Sequence, residues 1–110
     1  MGKFKIKITQ WWASENYVHI IYSTNGIFWH KIKNCEYDFS DEIYYMTPIC
    51  ISFDKCESLL QSFNCLDDIK KYEQEEKDRM IYCNNQIYKK RKQKQDELKS
   101  IYKRINNNLK

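Results

Sequence analysis

Residues 17–33, YVHIIYSTNGIFWHKIK, contain two runs of β-branched and aromatic residues on either side of the dipeptide Asn25-Gly26. Such runs, separated by a short glycine-containing segment, are typical of a β-hairpin. The sequence therefore predicts strands over residues 17–23 and 27–33, joined by a turn at residues 24–26.

The register of this hairpin decides which side chains share a face of the sheet. A two-residue loop would place apolar and lysine side chains on the same face. A three-residue loop over 24–26, closed by a glycine bulge, pairs Ser23 with Ile27 and separates the two kinds. It predicts a left-handed Gly26, and hydrogen bonds from Ser23 and Asn25 to loop amides. One face then holds Val18, Ile20, Tyr22, Phe28, His30 and Ile32.

A second alternating segment precedes the hairpin. Over residues 3–9, Phe4, Ile6 and Ile8 alternate with lysines, which predicts a half-buried strand with a lysine-rich outer face. Residues 49–53 alternate as well, so we expect an antiparallel sheet of three or four strands that begins as a meander. Residues 34–48 show no clear period and are predicted to connect the sheet elements, with at most a short strand at 43–46.

A short helix is expected after the last of these strands. Asp54 and Glu57 are three residues apart, which is a capping-box pattern with Asp in place of Ser or Thr. Asn64 ends the predicted helix. Its inner face would consist of Phe53, Cys56, Leu59, Leu60 and Phe63.

From Leu66 onward, apolar residues recur at steps of three and four, and no Gly or Pro follows Pro48. A helix of about 40 residues would be roughly 60 Å long, whereas a globule of this size has a radius of gyration of about 13 Å. The helix must therefore break near Asn84-Asn85 or project and need a partner. We expect an α+β fold with residues 1–65 as sheet and short helix, and 66–110 as a long helix within the same domain or projecting from it.

The charge of the chain is concentrated at its C-terminal end. Residues 1–88 contain 10 Lys and Arg against 13 Asp and Glu, a net charge of −3, whereas residues 89–110 contain 9 against 2, a net charge of +7. A basic helix can be a solvated surface, or it can neutralise phosphates without reading base sequence. The candidate nucleic-acid contacts are Lys89, Lys90, Arg91, Lys92 and Lys94.

The apolar stripe of the long helix is interrupted between Lys89 and Glu97 and resumes at Leu98. A continuous coiled coil is therefore not expected. A terminal apolar patch remains as a candidate docking surface, formed by Leu98, Ile101, Ile105 and Leu109. It favours a non-enzymatic interaction or structural protein that docks on a partner protein or forms a homo-oligomer. An accessory nucleic-acid-binding protein is the alternative.

Catalytic and metal-binding motifs are missing from the sequence. It contains two glycines and no phosphate-binding glycine loop, no H-E-x-x-H and no nucleophile elbow. His19 and His30 are the natural general bases, but the expected register places them on opposite faces. We therefore predict no catalytic residue, metal ligand or cofactor, and keep a small enzyme or zinc protein as the least favoured alternative.

The five cysteines are irregularly spaced and include no C-x-x-C pair. An odd number without paired spacing favours free thiols in a reducing, intracellular compartment. No apolar run approaches the length of a membrane span, so no membrane partner is expected.

Ser23, Asn25, Gly26 and Trp29 together resemble the Asp-box of sialidase-type repeats. The resemblance covers about eight residues and departs from the family pattern at Asn25, where Asp is usual, and at Phe28, where Thr is common. It implies a hairpin-stabilising element, and neither sialidase activity nor sugar binding follows from it. The chain is also rich in Asn, Lys, Ile and Tyr, a bias found in many phages and large viruses, so a virion or accessory component is a further expectation.

Overall fold

The computed structural model describes residues 3–10 and 16–109. Two small antiparallel sheets are followed by a short helix and a long one, which confirms the α+β class. In chain order the elements are β1 (Lys5–Gln10), β2 (Tyr17–Ser23), β3 (His30–Lys31), β4 (Lys33–Asp38), β5 (Ile43–Pro48), β6 (Ile51–Ser52), α1 (Phe53–Gln61) and α2 (Leu66–Asn108).

The first sheet is built around β2, which has the predicted bounds. β1 pairs with β2 along its whole length, from Lys5 opposite Ser23 to Gln10 opposite Val18. β3 and β6 share the other edge of β2, and both are antiparallel to it. The expected strand at 49–53 is therefore present, but only Ile51 and Ser52 belong to it.

The expected register of the hairpin is wrong by two residues. Tyr22 lies opposite His30 rather than Phe28, and the strand expected from Ile27 begins only at His30. Because the shift is an even number of residues, the predicted sharing of faces between Tyr22 and His30 is retained, and their rings lie 5.5 Å apart. Phe28, however, is exposed outside the sheet.

The loop between β2 and β3 is longer than expected because of the hydrogen bonds of Asn25. Its Oδ1 accepts the amides of Ile27 at 2.8 Å and Phe28 at 2.9 Å, so these amides are not available to a ladder with β2. Ser23 Oγ accepts the Gly26 amide at 2.8 Å, and Gly26 is left-handed with φ 77°. The predicted roles of Ser23, Asn25 and Gly26 are thus confirmed.

The interpretation of residues 34–48 as a connecting segment is wrong, because β4 and β5 form a second hairpin, although the short strand considered at 43–46 lies within β5. Their register runs from Lys33 opposite Pro48 to Asp38 opposite Ile43. Asp38 Oδ1 closes the turn by accepting the amides of Ser40 at 2.8 Å and Asp41 at 3.3 Å.

The core joins the first sheet to both helices. Ile20 of β2, Ile32, Ile49, Phe63 and Ile69 of α2 are buried against one another. The Ile32 amide donates to Ile20 O at 3.0 Å, and the Ile49 amide donates to Ile32 O at 2.8 Å. Each such side chain contributes about 1.5–3 kcal/mol on burial, so this cluster holds the first sheet against the end of α1 and the start of α2.

The expected capping box of α1 is wrong. The N-cap is Ser52, which makes no side-chain capping bond, and Asp54 lies inside the first turn. The helix begins earlier because the Phe53 amide donates to Asn16 O at 2.8 Å and anchors the entry of the chain. Of the expected inner face, Cys56 is buried and Phe53 is exposed.

α2 is continuous over 43 residues and does not break at Asn84-Asn85. At 1.5 Å per residue its length is about 65 Å. The molecule measures 77 × 31 × 23 Å, with a radius of gyration of 21.4 Å, against about 13 Å for a compact domain of this size. The helix therefore projects from the rest of the molecule, which is the second of the two expected outcomes.

Candidate partner-binding surface

The start of α2 is fixed by acidic residues in its first turn. Asp67 and Asp68 lie where the helix dipole favours negative charge. Asp68 Oδ2 also accepts the backbone amide of Asn64 at 2.8 Å, which ties the preceding turn to the helix. The direction of the long helix is thus set by its first turn and by the buried Ile69.

The middle of α2 is attached to the second hairpin through Asn84. The Tyr44 amide donates to Asn84 Oδ1 at 2.8 Å, and Asn84 Nδ2 donates to Tyr44 O at 2.9 Å. The side-chain amide therefore pairs with β5 as the backbone of a third strand would. The Asn84 side chain thus provides hydrogen-bond partners for the backbone N–H and C=O of Tyr44, which point away from β4.

Two further contacts attach the helix to β4. The Lys33 amide donates to Glu73 Oε2 at 3.0 Å, and Arg79 Nη2 donates to Cys35 O at 3.3 Å. Arg79 also forms an ion pair with Glu76 at 2.9 Å. α2 is thus attached to both strands of the hairpin at successive turns.

Arg91 makes the last of these attachments. Its Nη2 donates to Glu42 O at 3.1 Å and lies 3.5 Å from Glu42 Oε2. From Tyr88 to Leu109 every described residue is exposed. We call residues 92–109 the C-terminal arm.

We call the two sheets, α1 and residues 66–91 of α2 the body of the molecule. The C-terminal arm continues the face of α2 that packs against the sheets in the body. Met80 and Ile87 are half-buried on that face, and steps of four, three and four residues lead from Ile87 through Arg91 and Lys94 to Leu98. The predicted apolar patch lies on this line beyond the body. Its exposed fractions are 48% for Leu98, 42% for Ile101, 47% for Ile105 and 76% for Leu109.

The basic segment lies at the base of the arm. Arg91 is held by Glu42, whereas the other four basic side chains are exposed and have no acidic partner within 4 Å in the part of the chain that the structure describes. They are Lys89, Lys90, Lys92 and Lys94. The predicted phosphate-contacting residues and the apolar patch thus occupy neighbouring stretches of one helix.

The half-buried Tyr72 of α2 and the buried Cys35 of β4 have shifted pKa values. Burial, followed by the charge of Glu76, raises the pKa of Tyr72 to about 12. Burial also raises the pKa of the Cys35 thiol, against an opposing effect of Arg79. Both shifts follow from loss of water around the group. Neither group is a poised acid or base at neutral pH.

The histidines and cysteines do not assemble into a site. His19 Nδ1 donates to Ile49 O at 2.7 Å, and His30 packs beside Tyr22 on the opposite face of the sheet. All five cysteines are free thiols. Within residues 3–10 and 16–109, no group of three or more His, Cys, Asp or Glu side chains could hold a metal ion.

None of the described helices is long and apolar enough to cross a membrane. No family model matches the chain, and no curated protein or solved structure matches it either.

Sequence reasoning missed the residues that attach α2 to the second hairpin, above all Glu73 and Asn84. Both are polar residues within the apolar stripe that covers the sheets. Their place within the apolar stripe could have identified them, because a polar side chain on a covered helix face needs a hydrogen-bond partner. From the sequence alone, Asn84 is instead considered only as part of a possible break in the helix.

Proposed function

We propose that this chain is a non-enzymatic interaction protein that docks on a partner protein through its C-terminal arm. The observation that carries the proposal is the exposure of Leu98, Ile101, Ile105 and Leu109 on the extension of the covered face of α2. Most helical stability in proteins comes from packing of an apolar face rather than from helix propensity. Contact with another chain would bury the stripe and stabilise the arm.

The size of the patch indicates how the partner must bind. A half-exposed Leu or Ile has about 1 kcal/mol left to gain on burial, so the four side chains offer about 4 kcal/mol together. Association itself costs about 4–15 kcal/mol. The partner must therefore surround the helix and contact its flanks as well, as a groove does.

Charge favours a partner protein over a second copy of this chain. Residues 89–110 carry a net charge of +7, so two arms lying side by side would repel each other. An apolar groove with an acidic rim would bind both the stripe and the flanking lysines. We therefore assign the arm to such a groove.

Two double variants test the assignment. I101E/I105E adds two carboxylates to the stripe, and S100E/N107E adds the same charge to the opposite face of the same helix turns. The tagged protein is purified gently from its source cells and sized by light scattering. Wild type and S100E/N107E should elute in a stoichiometric complex with one other protein, and I101E/I105E should elute as a monomer.

Other outcomes contradict the proposal. If both variants behave as wild type, the stripe is not the docking surface. If the complex contains only this chain and I101E/I105E dissociates it, the occupant is a second copy. Truncation at residue 91 should reproduce the monomer, since no described contact attaches the arm to the body beyond Arg91.

Nucleic-acid binding is the second candidate function, and the four unpaired lysines at the base of the arm favour it. Such binding would be independent of sequence and would weaken steeply with salt. Retention on single- and double-stranded DNA or RNA at low salt, lost on reversal of charge at Lys89 and Lys92, would support it. Absence of retention at low salt would exclude it.

An intracellular, reducing location is part of the proposal. Cys50 and Cys65 are exposed free thiols, and such thiols persist where disulfide formation is suppressed. Quantification of free thiols in protein taken directly from its source cells tests this, and a disulfide-linked fraction would contradict it.

A further inference from the structure

A notch opens where α2 leaves the body, between the helix and the turn of the β4–β5 hairpin. Its volume is about 190 Å³, room for roughly six water molecules at ~30 Å³ each. The lining residues are Tyr37, Glu42, Ile87, Lys90, Arg91 and Lys94.

The helix side of the notch is cationic because of residue spacing. Ile87, Lys90, Arg91 and Lys94 follow at steps of three, one and three, so they share one face of α2. Lys90 and Lys94 are like charges four residues apart, an arrangement that destabilises a helix unless an anion lies between them. Neither has an acidic partner within the described residues.

The hairpin side is held in place by Arg91. Glu42 has φ 55°, a left-handed conformation that costs a non-glycine residue about 1–2 kcal/mol. Donation from Arg91 Nη2 to Glu42 O keeps this residue at the notch. The Glu42 carboxylate is 69% exposed and 3.5 Å from Arg91, so it neutralises the guanidinium weakly.

The charges of the notch do not balance. Three cations face one carboxylate, which leaves a charge of +2 on a small concave surface. The bonds to Glu42 use Nη2 alone, so other N–H donors of the Arg91 fork remain. On the other wall, Tyr37 packs against Phe39 at 4.9 Å and Tyr44 at 5.0 Å, which fixes its ring.

We propose that this notch binds a phosphate group, either inorganic phosphate or a terminal phosphomonoester. Such a group carries a charge of about −1.5 to −2 at neutral pH, which complements the notch. Arg91 would donate to two phosphate oxygens, and Lys90 and Lys94 would approach the others as point charges. The notch is separate from the apolar patch, which begins only at Leu98.

The test compares lysines on two faces of one helix. K90Q/K94Q removes two charges from the notch, and K89Q/K92Q removes the same number from outside it. Inorganic phosphate and glycerol phosphate are titrated at constant ionic strength, and backbone amide shifts are followed by NMR. We expect saturable shifts at Tyr37, Glu42 and the adjoining turn of α2.

K90Q/K94Q should weaken phosphate binding by at least about tenfold, because two charge-assisted contacts are lost. K89Q/K92Q should stay within about twofold of wild type, E42Q should bind more tightly, and I101E/I105E should bind normally. Equal weakening by both lysine pairs would mean diffuse attraction and overturn the site. Shifts that do not saturate would do the same. Glycerol phosphate separates the two ligand forms, since a site for inorganic phosphate alone would exclude it.

Discussion

The side-chain amide of Asn84 pairs with both backbone polar groups of Tyr44, at 2.8 and 2.9 Å. One residue in the middle of a 43-residue helix thus completes the edge of a two-stranded sheet. A two-stranded hairpin is marginally stable alone. The long helix and the second hairpin therefore stabilise each other through this contact.

Replacement of Asn84 by alanine should destabilise the protein by about 1–3 kcal/mol, since two hydrogen bonds are lost and Tyr44 keeps unpaired backbone groups. Urea unfolding measures the change. N85A is the matched control, because the exposed neighbouring residue makes no described contact with the hairpin, and it should have almost no effect. Equal stability of N84A and N85A would contradict the role given to the contact.

The hairpin loop offers a second prediction. N25D should leave stability almost unchanged, because a carboxylate accepts the amides of Ile27 and Phe28 as the Asn25 oxygen does. N25A should cost about 1–3 kcal/mol through the loss of both bonds. Thermal unfolding distinguishes the two, with T24A at an exposed position of the loop as control. N25A as stable as T24A would contradict the account of the loop.

These contacts also show how far the sequence predicts the fold. β2 was predicted with its observed bounds because a run of β-branched and aromatic residues ends at a glycine-containing turn. The second hairpin was missed because its strands contain no regular apolar series: Cys35 is buried, and the tyrosines are half-buried or exposed. Its hydrogen bonds to Glu73, Arg79 and Asn84 join residues about 40 positions apart, and no local pattern encodes them.

The candidate site was more accessible to sequence reasoning, since periodicity and charge are local. The stripe from Leu98 to Leu109 and the lysines before it could be listed from spacing alone. Their exposure depends on where α2 leaves the hairpin, and the contact between Arg91 and Glu42 is the last one there. The shape of the notch could not be predicted for the same reason, because its second wall belongs to the hairpin turn.

Stability should fall as pH rises between about 10 and 12. The pKa of Tyr72 is about 12 in the folded protein and about 10 in the unfolded chain. The unfolded state therefore loses this proton first, so the stabilisation is complete below pH 10 and lost as pH approaches 12. Y72F should lack this part of the pH dependence, whereas Y82F, at an exposed tyrosine, should retain it. Identical pH profiles for both variants would contradict the assignment.

The thiols should differ in reactivity with iodoacetamide in the native protein. Cys65 should react first, and the exposed Cys50 more slowly, because partial loss of water around its thiol and the charge of Glu36 raise its pKa. The half-buried Cys83 should follow, and the buried Cys35 and Cys56 should react only on unfolding. Mass spectrometry of timed samples measures the order. Early modification of Cys35 or Cys56 would contradict the packing described.

The central claim is that one face of the C-terminal arm contacts a partner protein. The most direct measurement is photocrosslinking in the source cells, with a photoreactive phenylalanine analogue at position 101 on the stripe or at position 103 on the opposite face. The account predicts one discrete crosslinked protein from position 101 and little from position 103, with the product lost in I105E and retained in N107E. Equal crosslinking from both positions, or a product from position 101 that I105E does not reduce, would contradict it.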